Sequence, residues 1–256
     1  MNFGLIMKMI TLFGVILATS TTYAHADMPT KRPGKLTVCS YSQFKPITYG
    51  VGKGFEADYM RHIAQSLDLK IDFFPEEIYE QLWSMPSKAY TLCDVSIGGF
   101  SVTQTRQEQG AIFSLPSARF SQSLLIRNSD ADEFESYADF NHKRIGVVPG
   151  TTGKTFAVQR AQEAGLDVSS VIVDYADETT LLTALESHEI DAIGRGEIGN
   201  DCQVRENPYF STILKRDFGE SFSFVVNNDV LLENINHVIM SEPLEFSIEN
   251  YCHNEQ

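Results

Sequence analysis

Twice along this chain, strand-like apolar runs alternate with helical patterns, and an extended alternating stretch separates the two series. The first series reads KLTVCSY (Lys35 to Tyr41) as a strand and Gly54 to Leu69 as a helix with Ala57, Met60, Ala64 and Leu67 on one face. KIDFFP follows as a strand, Ile78 to Met85 as a short helix stopped by Pro86, and CDVSIGG as a third strand. The second series has RIGVV (Arg144 to Val148), a helix from Gly153 to Ala164, the strand SVIVDY, a helix from Glu178 to Ser187 carrying Leu181, Leu182 and Leu185 inward, and the strand DAIGR. Such alternation predicts an α/β protein, each series a mainly parallel sheet flanked by helices. Two extended runs, SQSLLIRN (Ser121 to Asn128) and FGESFSFVVNND (Phe218 to Asp229), join the series, so two lobes on a two-crossover hinge are expected. The expected boundaries are 1–26 for a leader, 27–124 and 218–256 for the first lobe, and 125–217 for the second.

Residues 1–26 have the pattern of a secretory signal: Lys8, an apolar run from Met9 to Ala18, and Ala24-His25-Ala26 as a small-x-small cleavage site. The apolar run is short for a membrane span, and no cysteine marks a lipid anchor at the cleavage point. The formal charge is −14 over 256 residues; losing the leader removes one lysine and no acid, which leaves −15. That balance argues against nucleic acid or an anionic membrane surface as partner. Four cysteines allow three pairings. Cys39 and Cys93 fall in expected buried strands and read as small apolar fillers. Cys202 and Cys252 lie in polar, exposed-looking surroundings and are the pair to test for a bridge.

Chemistry concentrates at strand ends. DVSIGGFSVTQTRQEQGAIFS (Asp94 to Ser114) ends a strand on Gly98 and Gly99, then gathers Ser101, Thr103 and Arg106. Glycines let a ligand approach the backbone, hydroxyls are neutral donors, and the arginine fork matches a carboxylate bidentately. PGTTGKTF (Pro149 to Phe156) likewise follows a strand and opens a helix whose free N–H groups suit an anion. Two anion sites on two βα units predict one ligand held between two lobes. A phosphate loop is ruled out because G-x-x-x-x-G-K-T needs glycine where Val148 stands. The six histidines have no metal-ligand spacing and there is no G-x-S-x-G elbow, so no cofactor or metal is expected.

With these residues in view the chain resembles the family 3 periplasmic solute-binding proteins, the polar amino-acid receptors of ABC importers. The landmarks are Phe44 and Pro46 after the first strand, KGFEADYMRHIAQSL, GGFSVTQTRQ with Phe113-Ser114, GTTGKTF, and ALESHEIDAI. The resemblance implies a Venus flytrap fold in which Arg106 clamps a ligand carboxylate, helped by Ser101 and by Thr152 with its turn, while Phe44 stacks on the ligand side chain. Gly99, Thr151, Trp83 and Glu197 complete the expected ligand-binding set. The family usually has an aspartate for the ligand ammonium where this chain has Gly196; Glu197 is the nearest substitute, Asp201 a further one, and Arg195 could instead read a second anionic group. Tyr41 stands where many relatives carry an acid that reads a basic side chain. The expected protein is a monomeric periplasmic receptor without enzymatic activity that passes a small carboxylate-bearing solute to an ABC permease. A cyclohexadienyl-dehydratase-like enzyme on the same fold and a ligand-sensing receptor subunit are the alternatives.

Overall fold

The computed structural model describes residues 28–84 and 88–252, so the leader lies outside the described residues, as do Met85 and Pro86. Among the described residues the first lobe begins with β1 (Lys35–Tyr41), the short hairpin β2 (Gln43–Phe44) and β3 (Thr48–Tyr49), α1 (Phe55–Ser66) and β4 (Lys70–Glu76). A 3₁₀ turn (Tyr79–Leu82), α2 (Lys88–Leu92), β5 (Val95–Ser101) and α3 (Gln104–Glu108) follow, and β6 (Phe113–Arg127) leads away. The second lobe holds β7 (Ile145–Val147), α4 (Thr152–Glu163), α5 (Val168–Val171), β8 (Ile172–Asp174), α6 (Glu178–Glu186), β9 (Ala192–Gly196) and α7 (Glu197–Glu206). The chain returns along β10 (Phe210–Val226) to α8 (Asp229–Ser241) and α9 (Ile248–Tyr251).

Eight strands form one sheet in the order β4-β1-β5-β10-β6-β9-β7-β8. β1 pairs in parallel with β4 and β5, and β7 in parallel with β8 and β9, as the strand–helix alternation predicts. β6 and β10 pair antiparallel with each other and with one strand of each parallel set, so the two sheets join through the crossovers. These crossovers are longer than expected, at 15 and 17 residues. Their alternating side chains therefore reach from one lobe to the other.

The amphipathic faces find the partners their periods require. α1 buries Phe55, Ala57, Met60 and Ile63 against Leu36, Val38 and Ile97 of the sheet, and α8 returns Leu231, Ile235 and Val238 to the same cluster. In the second lobe Phe156 and Ala157 of α4 pack on Ile145 and Val147, while Leu181 and Leu185 of α6 pack on Ile193. Each of these phenylalanine, leucine, isoleucine, valine and methionine side chains contributes roughly 1.5–3 kcal/mol on burial.

Three expectations are corrected. Cys39 and Cys93 are bridged, not free fillers: β1 and β5 are neighbours, which sets their α-carbons 5.7 Å apart. Cys202 and Cys252 are also bridged, but both are buried, because α7 and the tail after α9 cover one another. The first part of SVIVDY is helical, since the Asp167 side chain accepts the Ser169 N–H at 3.1 Å and starts a turn before β8 begins.

Candidate functional site

β5, buried along its whole length, ends at the cleft. Gly99 has φ +65°, and a Cβ there would lie 2.7 Å from the Phe44 ring, so only glycine lets that ring reach the strand end. The strand end is held from below by Glu56 of α1. This carboxylate is fully buried and accepts the N–H groups of Gly98 at 2.9 Å and Gly99 at 3.0 Å, with Ser117 Oγ at 3.4 Å. Burial pushes its pKa up to about 7, against the opposing pull of the two amides and the hydroxyl.

Thr103 caps α3 by accepting the Arg106 N–H at 3.3 Å, which turns the helix so that Arg106 points back under Ser101. Arg106 is 3% exposed; its Nη1 donates to Ser101 O at 2.7 Å and Nη2 to Gly150 O at 2.8 Å, on the other lobe. It lies over the rings of Tyr79 and Trp83, at 5.5 and 5.0 Å from their centroids. That packing fixes a cation without consuming an acid. Tyr79 donates its hydroxyl to Gly99 O at 3.2 Å, and burial raises its pKa although Arg106 pulls the other way.

From the second lobe, Thr151 caps α4: its Oγ1 accepts the Lys154 N–H at 3.2 Å and donates to Val148 O at 2.7 Å. Thr152 Oγ1 meets Ser101 Oγ across the cleft at 3.1 Å and accepts from Gln122 Nε2, also at 3.1 Å. Gln122 further donates to Glu220 at 2.5 Å, and burial raises the Glu220 pKa. Further out, Lys45 of the first lobe pairs with Glu206 of the second at 2.5 Å. The lobes are thus closed on one another.

Two connected spaces result. An inner cavity of about 40 Å3 is walled by Phe44, Tyr41, Phe120, Phe222, Glu178 and Arg195, and floored by Gly99, Thr152 and Gly196. An outer crevice of about 720 Å3 holds Arg106, Trp83, Glu80, Lys154 and Glu220 and shares Gln122, Thr151 and Thr152 with the inner one. Of the expected residues, Gly99, Phe44, Thr151 and Thr152 line the inner cavity, Arg106 and Trp83 the crevice, and Ser101 sits at their junction through its bond to Thr152. Glu197 lines neither; its Oε1 accepts the Ser121 N–H at 3.2 Å. Asp201 is tied to Lys215 at 2.6 Å on the surface.

Sequence reasoning assigned no site role to Tyr79, Phe120, Phe222, Gln122, Glu178 or Glu56. A signal existed for some of them. Phe120 and Gln122 on β6, and Glu220 and Phe222 on β10, share a face by two-residue spacing on strands that cross the cleft. Glu178 and Glu56 carry no such mark, since acids in first helical turns are ordinary.

Residues 36–240 match the family of bacterial extracellular solute-binding proteins, family 3. The chain is 26% identical over 212 residues to the histidine-binding periplasmic protein of Salmonella typhimurium, covering 82% of this chain and 74% of that one. The histidine-binding periplasmic protein of Escherichia coli K12 is 25% identical over 220 residues, 85% and 77% of the two chains. Among solved structures, an ancestral arginine-binding protein bound to arginine superposes with a TM-score of 0.69 at 24% identity, covering 81% of this chain and 91% of that one. The amino acid ABC transporter substrate-binding protein AbpA from Streptococcus pneumoniae, bound to L-arginine, gives 0.67 at 22% identity, with 86% and 93% covered. These neighbours are two-lobed binding proteins.

Proposed function

Because the chain belongs to the bacterial extracellular solute-binding proteins, family 3, and is thus an extracytoplasmic solute-binding protein, we propose that its solute is an amino acid or close derivative held by the carboxylate between the lobes. One observation carries this reading: the buried Arg106 guanidinium bonds Ser101 O of its own lobe and Gly150 O of the other, next to the Ser101–Thr152 hydroxyl contact that crosses the cleft. A carboxylate entering there replaces Arg106's bonds to neutral carbonyls with bonds in which both partners are charged; hydrogen bonds to charged groups contribute about 1.5–3 kcal/mol each. Two or three of them are compatible with micromolar affinity, near −8 kcal/mol, after ordering costs. Phe44, held between Gly99 and Gly199, supplies a flat apolar wall for the rest of the ligand.

The working step in this reading is closure of the lobes, and the protein acts as a periplasmic monomer that delivers solute to an ABC permease without turning it over. Capture and delivery need no general acid; dehydration of the ligand would. Glu197 lines neither the inner cavity nor the outer crevice, and its carboxylate accepts the Ser121 N–H. A thermal-shift screen of amino acids and small carboxylates, followed by calorimetry, tests the binding reading: an amino acid should raise the melting temperature by mass action, and a screen in which none does overturns it. Incubation with prephenate or arogenate should yield no product.

A further inference from the structure

Arg195 and Glu178 are the charged residues lining the inner cavity, and they are spent on each other. Arg195 Nη1 meets Glu178 Oε2 at 2.7 Å, with 8% and 9% of the two side chains exposed. The guanidinium is locked in place: Nε donates to Asn200 Oδ1 at 2.6 Å and Nη2 to Gly199 O at 3.2 Å. Asn200, fully buried, is anchored in turn by donating to Ser123 Oγ at 2.8 Å. Glu178 is presented from the first turn of α6 and lines the same cavity as the buried Tyr41. Around this pair the wall is aromatic: Tyr41, Phe44, Tyr79, Phe120 and Phe222.

We propose that Arg195 is a specificity residue that neutralises Glu178 and thereby tunes the cavity to amino acids with uncharged side chains, against those with cationic ones. This rests on the amino-acid reading of the site. A buried carboxylate beside aromatic rings would by itself attract a guanidinium or ammonium group. With Arg195 fixed against it, a second cation entering the same poorly hydrated space meets a like charge that cannot swing away, because three acceptors hold it. An anionic side chain meets Glu178 in the same way. A neutral polar or aromatic side chain meets a charge-balanced pair and apolar walls, and leaves the ion pair intact. The solved neighbours bound to arginine, though similar in fold, therefore do not predict the ligand of this chain.

The test compares calorimetric affinities of the intact protein for phenylalanine, tyrosine, leucine and glutamine with those for arginine and lysine. The best neutral amino acid should bind at least tenfold more tightly than any cationic one. Arg195→Met, which frees Glu178, should shift the ratio toward arginine and lysine by tenfold or more, and the double variant Arg195→Met/Glu178→Gln should return it toward wild type. The double variant also covers the risk that the single one folds poorly, since it removes both buried charges together. Tighter binding of arginine or lysine by the wild type overturns the proposal alone. So does an unchanged ratio in folded Arg195→Met. If no amino acid of either kind binds, the amino-acid reading itself is overturned, and this inference with it; the pattern differs because the loss then covers the whole panel.

Discussion

At the scale of single residues, the site depends on how a cation is kept buried and available. Arg106 bonds to two carbonyls and stacks on two rings, and among the described residues no acid is bonded to its guanidinium. An ion-paired arginine would have to give up its partner to bind a carboxylate; one bonded to carbonyls exchanges weaker contacts for stronger ones. Arg106→Ala should lower affinity for the best ligand of the screen by a hundredfold or more, about 3 kcal/mol, the loss of a bidentate charge-assisted pair. Arg106→Lys should recover only part of this, because an ammonium cannot reproduce the planar fork. Calorimetry on both variants decides, and alanine binding as tightly as wild type excludes the clamp. The Ser-x-Thr-x-x-Arg spacing was legible in the sequence because α3 and its Thr103 cap are local. Arg106's second contact, Gly150 O, was not, since it lies 44 residues away on the other lobe.

At the scale of elements, α1 supports the end of β5 at the cleft. Glu56 bonds two consecutive amides of β5, a task no backbone carbonyl can perform where Gly98 and Gly99 leave the ladder. Its folded-state pKa of about 7 lies above the ordinary 4.5, so the native state holds the proton more tightly than the unfolded chain. The resulting stabilisation is complete below about pH 4.5 and is lost as pH rises through about 7, a change on the order of a few kcal/mol. The melting temperature of the wild type relative to Glu56→Gln should therefore fall between pH 4.5 and 8; a flat difference contradicts the assignment. The disulfide Cys39–Cys93 locks β1 beside β5 across 54 residues. Closing a loop of that length removes about 4 kcal/mol of denatured-state entropy. Cys39→Ala/Cys93→Ala should lower stability by about 2–4 kcal/mol in denaturant titrations, and an unchanged midpoint would falsify a stabilising role.

At the scale of the whole molecule, two lobes share one sheet through β6 and β10, so opening must be absorbed in those strands, where the β6–β10 register shifts at several points. A second tether crosses the same gap. Cys202 sits on α7, while Cys252 follows α9, whose Tyr251 packs on Phe55 of the first lobe. Saturating ligand should reduce the radius of gyration measured by small-angle scattering. The unliganded protein should become more open in Cys202→Ser/Cys252→Ser, and equal radii for both proteins, with and without ligand, would rule out tethered closure. The α/β class, the two βαβ series and the Ser101–Arg106 turn with its Thr103 cap were determined by the sequence alone, because hydrophobic period, caps and glycine placement act over a few neighbouring residues. The Cys39–Cys93 pairing, the aromatic wall to which the two crossovers add Phe120 and Phe222, and the Glu178–Arg195 pair were decided by tertiary structure. Each joins residues distant in the chain, and their meeting depends on sheet order and lobe closure, which no local pattern encodes.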